Sequence, residues 1–145
     1  MTTWKIILCR INLSEYMFTN EYTDIVIEHF MCPKNVGILN DSNGEGKAGD
    51  PACGDSLNIY IKVKDDLIED ISFLVYGCPA SVATSSMTTE LAKKKTLKEA
   101  LSISENDIID ALGGLPENKK HCSNLGVKAL RSAIENYLVS AVENK

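Results

Sequence analysis

The sequence has no apolar run approaching the roughly 20 residues that a membrane-spanning helix needs. Its net charge of −5 gives no basic excess for neutralising phosphates, which argues against a nucleic-acid partner. The N-terminal residues include a short apolar stretch, but they lack the hydrophobic region and the small-residue cleavage site of a secretory signal. We therefore expect a cytoplasmic protein with reduced cysteines and with no membrane or nucleic-acid partner.

The close Cys-x-x-Cys pairs that are typical of a structural zinc site are also missing, although the chain has 5 cysteines. The candidate metal ligands come instead from three distant segments: Cys53 and Asp55, then Cys78, then His121 and Cys122. Soft thiolates select zinc, copper(I) or iron–sulfur clusters, whereas a carboxylate is a hard ligand. This mixed donor set predicts a site that holds its occupant transiently.

Each candidate ligand lies at a predicted element boundary, where a rigid scaffold presents functional groups. Cys53 and Asp55 are two residues apart at the entrance of a strand, so their side chains point the same way. Cys78 and Cys122 begin predicted helices, where the positive end of the helix dipole favours the thiolate. No role is expected for Cys9 in the N-terminal segment, for Cys32, which has no partner at ligand spacing, or for His29, a surface or packing residue.

The hydrophobic pattern predicts an α+β fold, with a small antiparallel β-sheet packed against helices on one face and a long C-terminal helix. Residues 1–19 have no clear period and are expected to form a poorly ordered tail before a single domain at 20–145. Strands are predicted at 57–64 and 68–76 around an Asp65-Asp66 turn, with the Gly-rich residues 40–49 as a connection. Helices are predicted at 23–32, 79–91, 96–101 and 104–112, and from 121 onward. Two apolar helix faces are predicted: Ile25, Ile27 and Phe30 on the first helix, and Leu130, Ile134, Tyr137, Leu138, Ala141 and Val142 on the last.

Four ordered motifs resemble those of the IscU/NifU N-terminal iron–sulfur cluster assembly scaffolds, over about residues 20–143. The motifs are Pro33-Lys34-Asn35-Val36-Gly37, Gly49-Asp50-Pro51-Ala52-Cys53-Gly54-Asp55, Phe73 through Gly77-Cys78 with Ser85-Ser86, and Lys119-Lys120-His121-Cys122-Ser123. The resemblance implies an IscU/SufE-like fold and a scaffold, not an enzyme, that assembles a [2Fe-2S] cluster and passes it to acceptor apoproteins.

By the same resemblance, Cys53, Cys78 and Cys122 are cluster ligands, with His121 or Asp55 completing the set, and Zn²⁺ is an alternative occupant. Cys122 would receive persulfide sulfur from a cysteine desulfurase, with help from Lys119, and a donor such as ferredoxin would supply electrons. The family's chaperone-binding segment reads Leu-Pro-Pro-Val-Lys, whereas this chain has Leu115-Pro116-Glu117-Asn118-Lys119. The difference weakens the expectation that a dedicated Hsp70-type chaperone binds.

Two alternatives belong to the enzyme class. A zinc-dependent sulfurtransferase of the SufU type would accept persulfide on Cys122 or Cys53 and keep its zinc through turnover. SufU-type proteins carry an insertion before the last cysteine and lack the adjacent histidine, so the short interval from Cys78 to His121 favours the IscU/NifU branch. A cysteine–histidine hydrolase needs an oriented base at hydrogen-bond distance, and adjacent side chains on a helix diverge.

Overall fold

The computed structural model describes residues 22–50 and 54–143; the predicted tail and Cys53 lie outside these ranges. The helices and strands, in chain order, are α1 Asp24–Met31, β1 Gly44–Asp50, β2 Asp55–Lys64, β3 Leu67–Tyr76, α2 Pro79–Ala92, α3 Leu97–Leu101, α4 Glu105–Ala111, a 3₁₀ turn at Glu117–Lys119, and α5 His121–Glu143. The α+β architecture predicted from the sequence, with its long C-terminal helix, is confirmed.

The predicted hairpin is confirmed as β2 and β3, which pair antiparallel with Ile59 opposite Phe73 and Ile61 opposite Ile71. Asp65 and Asp66 both have positive φ angles, of 53° and 65°. Two central residues of positive φ match the right-handed twist of the flanking strands. The alternating apolar residues of β2 are buried on one face, and this buried face fixes the register.

The prediction that residues 40–49 form only a connection is wrong, because Gly44–Asp50 forms strand β1 beside β2. Its residues on the core face are Gly44, Gly46 and Ala48, opposite Ile61, Ile59 and Leu57. A Cβ atom on Gly46 would overlap the backbone of Ala129 and Ala133 on α5. The strand therefore uses glycine where the long helix crosses it, and this composition hides the apolar alternation that identifies a strand.

The predicted faces of two helices need correction. On α1 the buried residues are Val26 and His29, while Ile25 is 41% exposed. On α5, Leu130 and Ile134 are buried as predicted, but Leu138 and Val142 are 43% and 74% exposed. Helical spacing identifies residues that share a face, but it does not show where that face ceases to contact another element.

Cys32 lies at the C-terminal end of α1 and is disulfide-bonded, so the expectation of reduced cysteines is wrong at this position. No helix among the described residues combines the length and the apolar composition needed to cross a membrane.

A buried histidine joins α1 to α2. His29 is 9% exposed, and its Nδ1 lies 2.7 Å from the Ser86 hydroxyl oxygen, which also accepts a hydrogen bond from the Lys34 amide at 2.9 Å. Burial lowers the pKa of His29 below its ordinary value of 6.5. The folded protein therefore favours the neutral ring, whose Nδ1 shares a hydrogen bond with the Ser86 hydroxyl.

We expect His29 to make the free energy of unfolding depend on pH. Because its pKa is lower in the folded chain, the unfolded chain binds the extra proton first, and stability falls as pH decreases below about 6.5. The variant His29→Gln should lose this part of the decrease. Urea unfolding between pH 5 and pH 8 measures it, and the constant difference between the two proteins above pH 7.5 is the control. Parallel curves over the whole range would show that His29 does not contribute.

Candidate metal centre

The candidate site lies where four segments meet: the start of β2, the N-terminus of α2, the 3₁₀ turn and the start of α5. Asp55 is the first residue of β2, and Cys78 occupies the N-cap of α2. His121 and Cys122 are the first two residues of α5, and the short 3₁₀ turn before them carries Lys119. The expectation that donors at element boundaries converge is confirmed for the described residues.

Asp55, His121 and Cys122 each bring one potential ligand atom to within 4.8 Å of the others. The Sγ atoms of Cys78 and Cys122 are 3.8 Å apart, and Cys122 Sγ lies 3.8 Å from His121 Nε2. His121 and Cys122 therefore both reach the site, although neighbouring residues on a helix do not normally share a face. They can do so because the chain is only entering the helix there.

The donors differ in their exposure to solvent. Asp55 is 7% exposed and Cys122 is 1% exposed, whereas His121 is exposed and Cys78 is partly buried. An open cavity of about 340 Å³ lies beside them. Its lining comprises Gly54, Asp55, Gly77, Cys78, Lys119 and His121. An ion or small cluster could thus reach the donors from solvent.

The two thiols are coupled, and their pKa values move in opposite directions. The pKa of Cys78 is lowered to about 5, chiefly by a hydrogen bond with Cys122; hydrogen bonds from Ser81 and the charge of Lys119 add to the effect. The pKa of Cys122 is raised, first by the same hydrogen bond and then by burial. The helix N-terminus was expected to favour the thiolate at both cysteines; the pKa directions agree with this at Cys78 and oppose it at Cys122.

Two residues around Asp55 were not predicted from the sequence. Ser81, one helical turn after Cys78, donates a hydrogen bond to Asp55 Oδ2 at 2.5 Å. A Cβ atom on Gly77 would come within 2.7 Å of Asp55 Oδ1, so the carboxylate packs directly against the Gly77 backbone. The spacing of Ser81 from Cys78 could have identified it as a neighbour of the site, but serine near a helix start more often forms a cap.

The donor set fits a soft metal or an iron–sulfur cluster. Cys122 Sγ lies 3.8 Å from both Cys78 Sγ and His121 Nε2, and thiolate and imidazole are ligands for zinc and for iron–sulfur clusters. The buried carboxylate adds one hard oxygen donor. Two other predicted site residues remain: Lys119 lines the cavity, and Cys53 lies outside the described residues.

The family model described as the NifU-like N terminal domain matches residues 21–144. The chain is 56% identical over 116 residues to the iron–sulfur cluster assembly scaffold protein IscU 1 of Archaeoglobus fulgidus, covering 80% of this chain and 76% of that protein. It is 48% identical over 121 residues to the IscU scaffold protein of Aquifex aeolicus, covering 82% and 77%. The nitrogen fixation protein NifU of Trichormus azollae is 49% identical over 126 residues, or 81% of this chain and 42% of that protein.

Solved structures share the fold. A crystal structure of a protein described as hypothetical aligns with a TM-score of 0.63 at 29% identity, covering 77% of this chain and 94% of that one. A crystal structure of a proposed SUF-system iron–sulfur cluster assembly scaffold from Fervidobacterium islandicum AW-1 aligns with a TM-score of 0.65 and covers 78% and 96%. At 23% identity, this second likeness shows the fold alone.

Proposed function

The chain belongs to the NifU-like N-terminal domain family, and from this we propose that it is a scaffold on which an iron–sulfur cluster is assembled and then passed to acceptor apoproteins. The observation that carries the proposal is the convergence of the Asp55 carboxylate, the Cys78 and Cys122 sulfurs and the His121 imidazole beside an open cavity. The cluster is the cargo of this site and not a resident cofactor.

We assign the cluster as [2Fe-2S], held by Cys53, Cys78 and Cys122, with His121 or Asp55 completing the set. The three thiolates supply the soft donors that such clusters prefer. The exposed imidazole of His121 and the hard carboxylate of Asp55 are weaker or more readily exchanged partners. This inequality supports a site that releases its cargo, and Zn²⁺ is an alternative occupant of the same donors.

Sulfur would arrive as the outer sulfur of a persulfide on a cysteine desulfurase. The Cys122 thiolate attacks that sulfur; a new S–S bond forms at Cys122, the donor's S–S bond breaks, and the desulfurase cysteine leaves as a thiolate. Cys122 must first lose its proton, and its Sγ lies 3.8 Å from Cys78 Sγ and 3.8 Å from the imidazole Nε2 of His121. The Lys119 ammonium at the cavity favours the anionic form of the Cys78 sulfur.

Reducing persulfide sulfur to sulfide requires two electrons per sulfur atom, so the reaction needs an electron donor such as a ferredoxin. A dedicated Hsp70-type chaperone is not part of the proposal, because Glu117 and Asn118 are exposed in a 3₁₀ turn and replace the apolar Pro-Val pair of the family's binding segment.

Anaerobic reconstitution tests the proposal. The purified protein is incubated with ferrous iron, cysteine, a cysteine desulfurase and a reductant, and then freed of unbound metal. We expect a visible absorption spectrum together with iron and acid-labile sulfide in equal amounts, and loss of both when an apoferredoxin is added. A folded, colourless protein that retains zinc and accepts sulfur would contradict the scaffold and favour the sulfurtransferase.

A further inference from the structure

The Ser81 hydroxyl occupies the centre of the donor group without being a ligand in the proposed set. Its oxygen lies 2.5 Å from Asp55 Oδ2, 3.4 Å from Cys78 Sγ and 3.5 Å from Cys122 Sγ. Ser81 is 1% exposed, so water does not compete for these contacts. One buried hydroxyl therefore contacts three of the four described donors.

A serine hydroxyl has one proton and can donate it to one acceptor at a time. The carboxylate is the charged acceptor and gives the shortest of the three contacts, and hydrogen bonds to ionised oxygens are short and strong. The sulfur contacts are longer, and sulfur is the weaker acceptor. The Ser81 proton is therefore assigned to Asp55 in the metal-free protein.

The other carboxylate oxygen is constrained by the backbone. Asp55 Oδ1 packs against Gly77, at a distance where a Cβ atom on that residue would meet it at 2.7 Å. Contacts at both oxygens fix the plane of the carboxylate as well as its direction. Hydrogen-bond partners outside the metal's own ligands orient those ligands. The Asp55 carboxylate would therefore bind a metal ion, and release it, in one defined orientation.

We propose that Ser81 is a positioning residue that acts on the bound metal or cluster through Asp55. Its hydroxyl holds the carboxylate towards the Cys122 and His121 donors and so sets how strongly Asp55 engages the cargo. The proposal rests on the proposed function in taking the cluster as cargo, but the positioning itself applies to any metal ion bound by these donors.

A double-mutant cycle in zinc affinity tests the proposal. Zn²⁺ affinity is measured by competition with a chromophoric chelator for the wild type, Ser81→Ala, Asp55→Ala and the double variant. Removing an outer partner of a ligand typically lowers metal affinity by about 10-fold or more, so we expect that loss for Ser81→Ala. In the Asp55→Ala background, the same substitution should change affinity by no more than about twofold.

The matched control is Ser85→Ala, which removes another buried hydroxyl from α2. The Ser85 hydroxyl donates to the Ser81 carbonyl oxygen within the helix, and among the described residues its hydrogen bond goes to this backbone atom and not to a sulfur or to Asp55. Its removal should leave Zn²⁺ affinity unchanged. Thermal unfolding of both serine variants separates a general loss of helix stability from an effect on binding.

A second readout uses the cluster. Asp55→Ala removes the readily exchanged ligand and should slow cluster transfer to an acceptor apoprotein; Ser81→Ala should shift the rate part of the way in the same direction. If Ser81→Ala lowers Zn²⁺ affinity equally in the wild type and in Asp55→Ala, Ser81 acts on the sulfurs or on the fold, and the proposal is overturned. An unchanged Zn²⁺ affinity of the single variant Ser81→Ala also overturns it. Because the zinc cycle needs no cluster, its result does not depend on whether the scaffold function holds.

Discussion

Replacing Cys122 by serine is expected to abolish the reconstituted visible absorption and to lower Zn²⁺ affinity by about 100-fold or more. Removing an outer partner of a metal ligand can cost up to about 100-fold, so losing a thiolate ligand should cost at least as much. Cys122 Sγ lies 3.8 Å from both Cys78 Sγ and His121 Nε2, at the meeting point of the donors. A serine hydroxyl stays protonated at neutral pH and is too hard a ligand for a soft site.

The control for this prediction is Cys32→Ser at the end of α1, outside the group formed by Asp55, His121 and Cys122. All variants are compared under reducing conditions, so that the disulfide of Cys32 does not distinguish the control from the other proteins. It should retain the absorption spectrum and the zinc affinity. Far-UV circular dichroism checks that α5 is intact in Cys122→Ser, since residue 122 is buried at the start of that helix. A full chromophore in the folded Cys122→Ser protein would remove this residue from the ligand set.

The variant Gly46→Ala is expected to lower the free energy of unfolding by about 3 kcal/mol or more, a large part of the typical 5–15 kcal/mol total. The added Cβ would overlap the backbone oxygen of Ala129 and the backbone nitrogen of Ala133. Backbone atoms of a helix cannot turn aside as a side chain can. Relief therefore requires α5 to move away from the sheet, which opens gaps beneath its buried face.

Gly49→Ala is the matched control, because it adds the same methyl group to the same strand. Among the described residues, a Cβ on Gly49 meets only the Asp55 backbone oxygen, at an ordinary contact distance of 3.5 Å. Thermal unfolding should show the midpoint lowered by about 10 °C for Gly46→Ala and little changed for Gly49→Ala. Urea unfolding measures the same difference as a change in the free energy of unfolding. Equal stability of the two variants would show that α5 does not lie as close to β1 as described.

Much of the candidate site was predictable from the sequence because its residue types are rare and chemically specific. Thiolate and imidazole donors at three boundaries indicated a soft metal site, and the described Asp55, Cys78, His121 and Cys122 do converge. The protonation of the two thiols was not predictable. A helix N-terminus acts on each cysteine separately, whereas the opposite shifts in the pKa values of Cys78 and Cys122 arise from a hydrogen bond between two sulfurs that are neighbours in space.

The fold, like the site, was predicted from the sequence only where the signals are local. The β2–β3 hairpin was predicted because alternating apolar residues and an Asp65-Asp66 turn are local signals. Strand β1 was missed because its core face carries Gly44 and Gly46, and glycine does not produce the alternating apolar pattern that predicts a strand. Glycine is needed at these positions because Ala129 and Ala133 of α5, more than eighty residues later in the chain, lie against the strand.

The sequence by itself predicted most of the elements and the candidate donors at their ends, because periodicity, capping and ligand chemistry are properties of short segments. Only the tertiary structure showed that the two thiols are neighbours, that Ser81 donates a hydrogen bond to Asp55, and why glycine is needed at position 46. Each of these depends on distances between atoms from segments far apart in the chain. Such distances follow from the packing of helices on the sheet, and no local pattern encodes them.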